Sequence, residues 1–209
     1  HIAEYYAMIS HLDAQVGRVM DALRKQGLAE DTIVVFAGDN GLAVGQHGLL
    51  GKQNCYEHSV RVPLVFCGPE IPVGQTRSAP AYLFDIFPTL CELGRVEIPA
   101  SVEGQSLLPA IQNADTPGRD ALYFAYTDTQ RAVKVGSMKL IEYVVGEHHT
   151  RTQLFDVDAD PWEVNDLAAD PAYEDDLDRL RQQLCRLRDD WDDTDSEWGQ
   201  RFWQHCPLD

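Results

Sequence analysis

Thr32-Ile-Val-Val-Phe-Ala-Gly-Asp-Asn-Gly41 holds an apolar run that stops abruptly at Asp39 and Asn40. A second run, Val62-Pro-Leu-Val-Phe-Cys67, follows about twenty residues later. Short all-apolar runs bounded by turn residues read as buried strands of a parallel sheet, predicted here over 32–37 and 62–67. In open α/β sheets, ligands bind just past the carboxyl ends of such strands, which is where Asp39 and Asn40 stand. An adjacent carboxylate and amide offer hard oxygen ligands to Ca²⁺ or Mg²⁺. Between the strands, residues 38–59 form a long Gly-rich loop, and loops of that length inside compact domains are usually functional. It contains Gly45-Gln-His-Gly-Leu-Leu-Gly-Lys52 and runs into Tyr56-Glu-His-Ser-Val-Arg-Val-Pro63. Lys52 adds a mobile cation suited to an anionic substrate. Alone, Asp-Asn-Gly is a turn signal and a lone lysine is surface decoration; the combination is what carries chemistry.

Upstream, Tyr5, Ile9, Leu12, Val16, Val19, Met20 and Leu23 recur at helical spacing. This predicts a helix over 4–26 with one buried stripe, stopped by Gly27. Downstream, a helix is predicted over 81–93, bent or restarted at Pro88. Residues 98–118 are rich in Pro, Gly and Ser, read as loop, and place a subdomain boundary that separates 1–112 from 113–209. Beyond it, β-rich runs at 121–126, 131–135, 139–145 and 152–156 are punctuated by Gly136-Ser137 and Gly146-Glu147, the pattern of an antiparallel meander. Leu177, Leu180, Leu184 and Leu187 predict an amphipathic helix over 172–190 that covers this sheet. The acidic tail after Trp191 reads as a poorly ordered end or an arm packed on the main domain. The fold class expected is therefore α/β: part of a mixed or parallel sheet with helices, followed by a small α+β subdomain with an antiparallel sheet and one helix.

The 209 residues suffice for one moderate core, or one core plus an appendage. The net charge of −17 is uneven, with 17 Asp/Glu against 6 Lys/Arg over residues 151–209. Such a surface disfavours nucleic acid and anionic membranes as partners. No apolar run approaches the roughly 18–20 residues that cross a bilayer. The five cysteines show no metal-like spacing. Cys67 and Cys91 fall in apolar patterns and are expected as buried thiols, and Cys185 with Cys206 are candidates to pair.

Taken in order, these motifs resemble the C-terminal portion of a sulfatase of the alkaline-phosphatase superfamily. Asp-Asn-Gly after a strand, Gly-x-His-Gly-x-x-Gly-Lys and Tyr-Glu-x-Ser-x-Arg-Val-Pro carry the resemblance. Tyr5-Tyr-Ala-Met-Ile-Ser-His-Leu-Asp-Ala-Gln-Val-Gly-Arg18 and Phe84-Asp-Ile-Phe-Pro-Thr-Leu90 are similar to the flanking helices. Leu154-Phe-Asp-Val-Asp-Ala-Asp-Pro-Trp-Glu-Val-Asn-Asp-Leu167 resembles the family's C-terminal hairpin-and-turn signature. None of Cys55, Cys67, Cys91, Cys185 and Cys206 is followed by the x-Pro-Ser-Arg that marks the family's formylglycine nucleophile. The resemblance thus implies a C-terminal piece of a larger enzyme, its nucleophile and paired metal-binding aspartates lying in an absent N-terminal segment.

The implied reaction is hydrolysis of a small-molecule or carbohydrate sulfate monoester to an alcohol and inorganic sulfate. The resemblance makes Asp39 and Asn40 ligands of one divalent ion, Ca²⁺ or Mg²⁺, shared with the absent aspartates. It makes Lys52 the catalytic cation on the sulfate and places His47 and His58 at the substrate. Glu57 and Arg61, four apart, are expected as a structural ion pair. His11 reads as a core or boundary histidine and Asp13 as structural, while His148 and His149 sit in a hairpin turn within reach of a pocket rim. Two other readings stand beside this one: a phosphonate monoester hydrolase or phosphodiesterase of the same superfamily, and a non-catalytic fragment or binding module.

Overall fold

The computed structural model describes residues 1–206 and Leu208. Two compact units emerge, each drawn from several stretches of chain. The first comprises His1–Asp39, Val62–Ser78 and Leu83–Thr116; the second comprises Asn40–Arg61, Ala79–Tyr82 and Pro117–Asp209.

In the first unit, helix α1 spans Ile2–Lys25, with Glu4 in its first turn and Arg24 and Lys25 in its last. These charges oppose the helix dipole at each end. Gly27, at φ +70°, takes the left-handed conformation that stops the helix. The expected buried stripe is not formed: no α1 residue is buried, and Ile9, Leu12 and Val19 are among its exposed apolar side chains. His11 is likewise exposed.

Strands β1 (Val34–Ala37) and β2 (Leu64–Cys67) pair antiparallel, from Val34 opposite Cys67 to Ala37 opposite Leu64. The apolar runs read as buried strands of a mixed or parallel sheet; this pair runs antiparallel. An unbroken apolar run marks burial on both faces in a complete sheet, but it does not set the direction of the partner strand. Here the pair is open enough that Phe36 and Val65 are exposed. Cys67 is exposed too and Cys91 half-buried, so neither is the buried thiol expected.

Helix α3 (Ile86–Leu93) carries Pro88 in its first turn, where a missing N–H breaks no helical bond. Buried Asp85 and Thr89 bind the following segment to it: Gln105 N–H donates to Asp85 Oδ1 at 2.8 Å and Leu107 N–H to Thr89 Oγ1 at 2.8 Å. The stretch expected as loop contains a short helix, α4 (Leu108–Gln112), whose last carbonyls accept from Arg77: Ala110 O at 2.8 Å and Ile111 O at 2.7 Å.

The second unit holds helix α2 (Glu57–Val60) and a four-stranded antiparallel sheet in the order β3 (Leu122–Tyr126), β4 (Gln130–Val135), β5 (Met138–Val145), β6 (His148–Asp156). The predicted two-residue turns are present: Val135 pairs with Met138 across Gly136-Ser137, and Val145 with His148 across Gly146-Glu147. Positive φ at Gly136 and Gly146 suits such hairpins.

One sheet face packs Val133, Leu140 and Leu154 against Leu180, Leu184 and Leu187 of helix α5 (Glu174–Asp190). Full burial of each leucine is worth about 1.5–3 kcal/mol, so this seam fixes α5 on the sheet. Residues 192–206 of the acidic tail pack on this same unit. Ser196 accepts from Gly199 N–H at 2.9 Å and caps helix α6 (Glu197–His205), whose Phe202 is fully buried. Ahead of it, the Asp193 carboxylate accepts from Arg131 Nε, Tyr123 Oη and Trp203 Nε1, each at 2.7 Å. Two helices therefore cover the small sheet where one was expected. Cys185 and Cys206 are not joined in a disulfide.

Candidate functional site

Asp39 and Asn40 follow β1 directly, two and three residues past its last member, and both are exposed. Asp39 is the last residue of the first unit's opening stretch, and Asn40 is the first residue of the second unit. Asn40 Nδ2 donates to Gly41 O at 3.0 Å, which orients the amide with Oδ1 as its acceptor end. A carboxylate beside an amide oxygen fits a hard divalent ion, although two such residues fall short of the 6–8 oxygens Ca²⁺ takes.

The loop that follows closes on itself. Gly41 N–H donates to Ser59 O and Ala43 N–H to Gly51 O, both at 2.8 Å. A Cβ at position 41 would lie 1.9 Å from the His58 carbonyl, so only glycine permits this closure. Lys52 lies at the exposed end of the loop, its backbone N–H donating to Gln53 Oε1 at 3.1 Å.

His47 adopts a left-handed backbone, φ +53°, unusual for a non-glycine residue and a kind of strain that gathers at functional sites. It is held there by stacking on Tyr56, with ring centroids 4.0 Å apart and planes 3° from parallel, and by Nε2 at 3.0 Å from the Trp162 carbonyl. The His58 ring lies 5.8 Å from His47 and 5.6 Å from Tyr56. The structure thus gathers His47 and His58 around Tyr56. Burial holds the His58 imidazole below its ordinary pKa, reinforced by His47 and Lys139, so the ring is neutral at pH 7. Its Nε2 is buried and makes no hydrogen bond among the described residues. A buried polar atom without a partner is costly and marks a place where a ligand or water completes the network.

The small sheet anchors this loop. Cys55, Tyr56, Ala132, Ile141, Phe155 and Val157 form one buried cluster. Tyr56 Oη donates to Gln153 Oε1 at 2.7 Å and Cys55 N–H to Gln130 Oε1 at 3.0 Å. Glu57 does not pair with Arg61. Its carboxylate meets Lys134 and Lys139, each at 3.1 Å, and its N–H donates to Glu163 at 2.6 Å. The tertiary partners win because Lys139 is fully buried and needs counter-charge, supplied by Glu57 and by Glu163 at 2.9 Å. Burial alone pushes the Glu57 pKa up, but the two lysines outweigh it and hold the carboxyl below its usual range. Burial pushes the Cys55 thiol up to about 12, where it is inert as a nucleophile at neutral pH.

Sequence reading missed Tyr56, Lys139, Gln153 and Glu163. Tyr56 and Glu163 lie inside the two motifs quoted above, and the structure shows why these motifs occur together: the Glu163 carboxylate is the acceptor for the backbone that follows Tyr56. His148 and His149, expected in the hairpin turn, instead open strand β6. His149 Nε2 lies 2.7 Å from the buried Glu142 carboxylate, away from the His47–Tyr56–His58 group in the contacts it makes.

Residues 45–190 match the family described as N-sulphoglucosamine sulphohydrolase, C-terminal. This chain belongs to that family. The chain is 33% identical over 181 residues to the N-acetylglucosamine-6-O-sulfatase of Bacteroides thetaiotaomicron, covering 82% of the chain and 31% of the relative. It superposes with a TM-score of 0.82 and 27% identity on a protein solved with its substrate D-glucosamine-2-N,6-O-disulfate, covering 91% of this chain and 40% of the other. It also superposes on the phosphonate monoester hydrolase of Agrobacterium radiobacter, with a TM-score of 0.77 and 26% identity over 89% of this chain and 40% of the other. The chain spans about a third of the length of the curated relatives it matches. The α/β fold with an antiparallel subdomain is that of sulfatases.

Proposed function

We propose that this chain is the C-terminal part of a sulfatase that hydrolyses sulfate monoesters, with a carbohydrate sulfate as the preferred substrate class. The supporting observation is the anchored loop: Lys52, His47 and His58 are carried on one segment that Tyr56, Glu57 and Gly41 lock into a single path. The relatives' printed substrates, an N-acetylglucosamine sulfate and a glucosamine disulfate, favour a sugar ester. In this reading residues 1–112 complete the catalytic domain and 113–209 form the supporting subdomain.

Asp39 and Asn40 Oδ1 would hold a divalent ion together with carboxylates from a preceding segment. When bound, such an ion polarises the sulfate oxygens as a Lewis acid. The Lys52 ammonium offsets negative charge that builds on the sulfate as the ester bond breaks. Neutral His58 offers its unpartnered Nε2 as a hydrogen-bond donor or acceptor to a bound oxyanion or hydroxyl, and His47 is its stacked neighbour. The nucleophile belongs to the preceding segment. A phosphonate monoester hydrolase is the second reading, favoured by the likeness to the Agrobacterium radiobacter enzyme.

Turnover by the full-length enzyme decides between them. Higher kcat/KM on a glucosamine sulfate than on a phosphonate monoester or phosphate diester is expected. Activity confined to the phosphorus esters overturns the sulfatase reading.

A further inference from the structure

Away from the candidate site, the second unit brings three different metal-binding side chains together. Glu142 of β5, His149 of β6 and Cys206 just after α6 each offer a ligand atom, and these atoms lie within 4.8 Å of one another. Glu142 and Cys206 are buried and the His149 side chain is 31% exposed, so the group has one solvent-facing side.

A defect in the sheet creates this meeting. Between β5 and β6 the register runs Glu142 opposite Thr152 and Tyr143 opposite Arg151, then shifts so that Val144 faces His149. Strand alternation alone would put His149 and Thr152 on opposite faces. The extra residue turns His149 onto the face that bears Glu142 and Val144. Bulges are over-represented beside functional sites because they re-aim a side chain in this way. Phe202, buried with Val144 and Cys206 in one cluster, brings the thiol to the same face.

Glu142 is also oriented from outside the trio. Arg181 Nε donates to Oε1 at 3.0 Å, and Thr152 Oγ1 donates to Oε2 at 2.5 Å. Ligating carboxylates are commonly held by such second partners. The Arg181 charge opposes a cation, but two anionic ligands, carboxylate and thiolate, more than offset it.

We propose that Glu142, His149 and Cys206 form a zinc-type metal site that clasps the end of α6 to the β5–β6 hairpin. Mixed N, O and S donors suit a tetrahedral borderline ion such as Zn²⁺ and not Ca²⁺ or Mg²⁺. At Zn–ligand distances of about 2.0–2.3 Å, tetrahedral donors stand about 3.3–3.7 Å apart, so the trio closes on an ion with small side-chain movements. The ion takes the place of the His149–Glu142 hydrogen bond. The Cys206 Sγ–H bond breaks, the thiolate binds, and one proton per ion passes to solvent. Water fills the fourth position on the His149 side.

The test is a Co²⁺ titration of the reduced 209-residue chain, followed by absorption. One equivalent should give a thiolate-to-cobalt charge-transfer band with visible bands of tetrahedral intensity, and Zn²⁺ should displace them. The signal should vanish in Cys206→Ser and in His149→Ala, the latter a partly exposed position that spares the core, and should survive in Cys185→Ser and Asp39→Ala. Absence of a thiolate band in the unaltered chain, or its persistence in either Cys206→Ser or folded His149→Ala, overturns the assignment. Loss in Asp39→Ala does so as well.

Discussion

At Asp193 a single carboxylate ends in three hydrogen bonds, from Arg131, Tyr123 and Trp203. Arg131 is among the most deeply buried side chains, and Asp193 is its counter-charge. Removing one partner of a buried pair leaves the other charge uncompensated, so Asp193→Asn should lower stability by on the order of 3 kcal/mol, measured by urea denaturation. The pH dependence follows from the same contacts. Burial pushes the Asp193 pKa up, but the hydrogen bonds from Arg131, Tyr123 and Trp203 outweigh it and the net shift is down. A carboxyl depressed on folding contributes stability that is present above its unfolded pKa of about 3.9 and lost as pH falls through the folded value. Stability of the wild-type chain should therefore fall more steeply below about pH 4 than that of Asp193→Asn; parallel acid-unfolding curves would remove Asp193 from the account. At the proposed active site, Lys52→Ala and Asp39→Ala in the full-length enzyme should each cut kcat by on the order of 10²–10³, the usual cost of losing one electrostatic contact to developing charge. Lys52→Ala with near wild-type kcat would displace this loop from the sulfate.

Among the elements, the 40–61 loop behaves as part of the small unit because its interactions point there. Its closure rests on Gly41, where an added methyl would meet the His58 carbonyl. Gly41→Ala should thus reduce both thermal stability and turnover of the full-length enzyme, and increase hydrogen exchange over 40–61; unchanged exchange would show that the loop tolerates another path. Local pattern made much of the fold legible: the hairpin turns at Gly136-Ser137 and Gly146-Glu147 and the leucine spacing of α5 all stand where the sequence puts them. The β1–β2 direction was not legible, because an apolar run reports burial and not partner orientation. Helix α6 escaped because its acidic surroundings mask a single deep anchor, Phe202. The Glu57–Lys139–Glu163 group escaped because Glu57 lies 82 residues from Lys139 and 106 from Glu163, and no local period links them. The motifs that hold Glu57 and Glu163 were visible, but their mutual contact exists only in three dimensions.

For the molecule as a whole, the two units bury their apolar residues unequally. Among the described residues the second holds several clusters of fully buried side chains, among them Leu140 and Leu180 in one, Ile141 and Phe155 in another, and Phe202 in a third. The first exposes Ile9, Leu12, Val19, Phe36, Val65 and Phe87, spread over α1, the β1–β2 pair and α3. An amphipathic helix owes most of its stability to packing of its apolar face, and α1 buries none of its residues. A two-stranded pair is likewise marginal until more strands or a helix cover it. The exposed faces call for a cover, and in the proposed enzyme that cover is the preceding segment that also supplies the nucleophile. The net charge of −17 opposes association, but it is concentrated in residues 151–209, outside the first unit. Apolar contact should therefore win over charge repulsion at the first unit, more so as salt screens the repulsion. The 209-residue chain alone should self-associate at high concentration and bind an apolar-surface dye. Light scattering should show mass rising with concentration and with salt, and co-expression with the preceding segment should abolish both signals. A monomer that binds no dye across that range would mean that α1 and the β1–β2 pair find their cover within the chain itself.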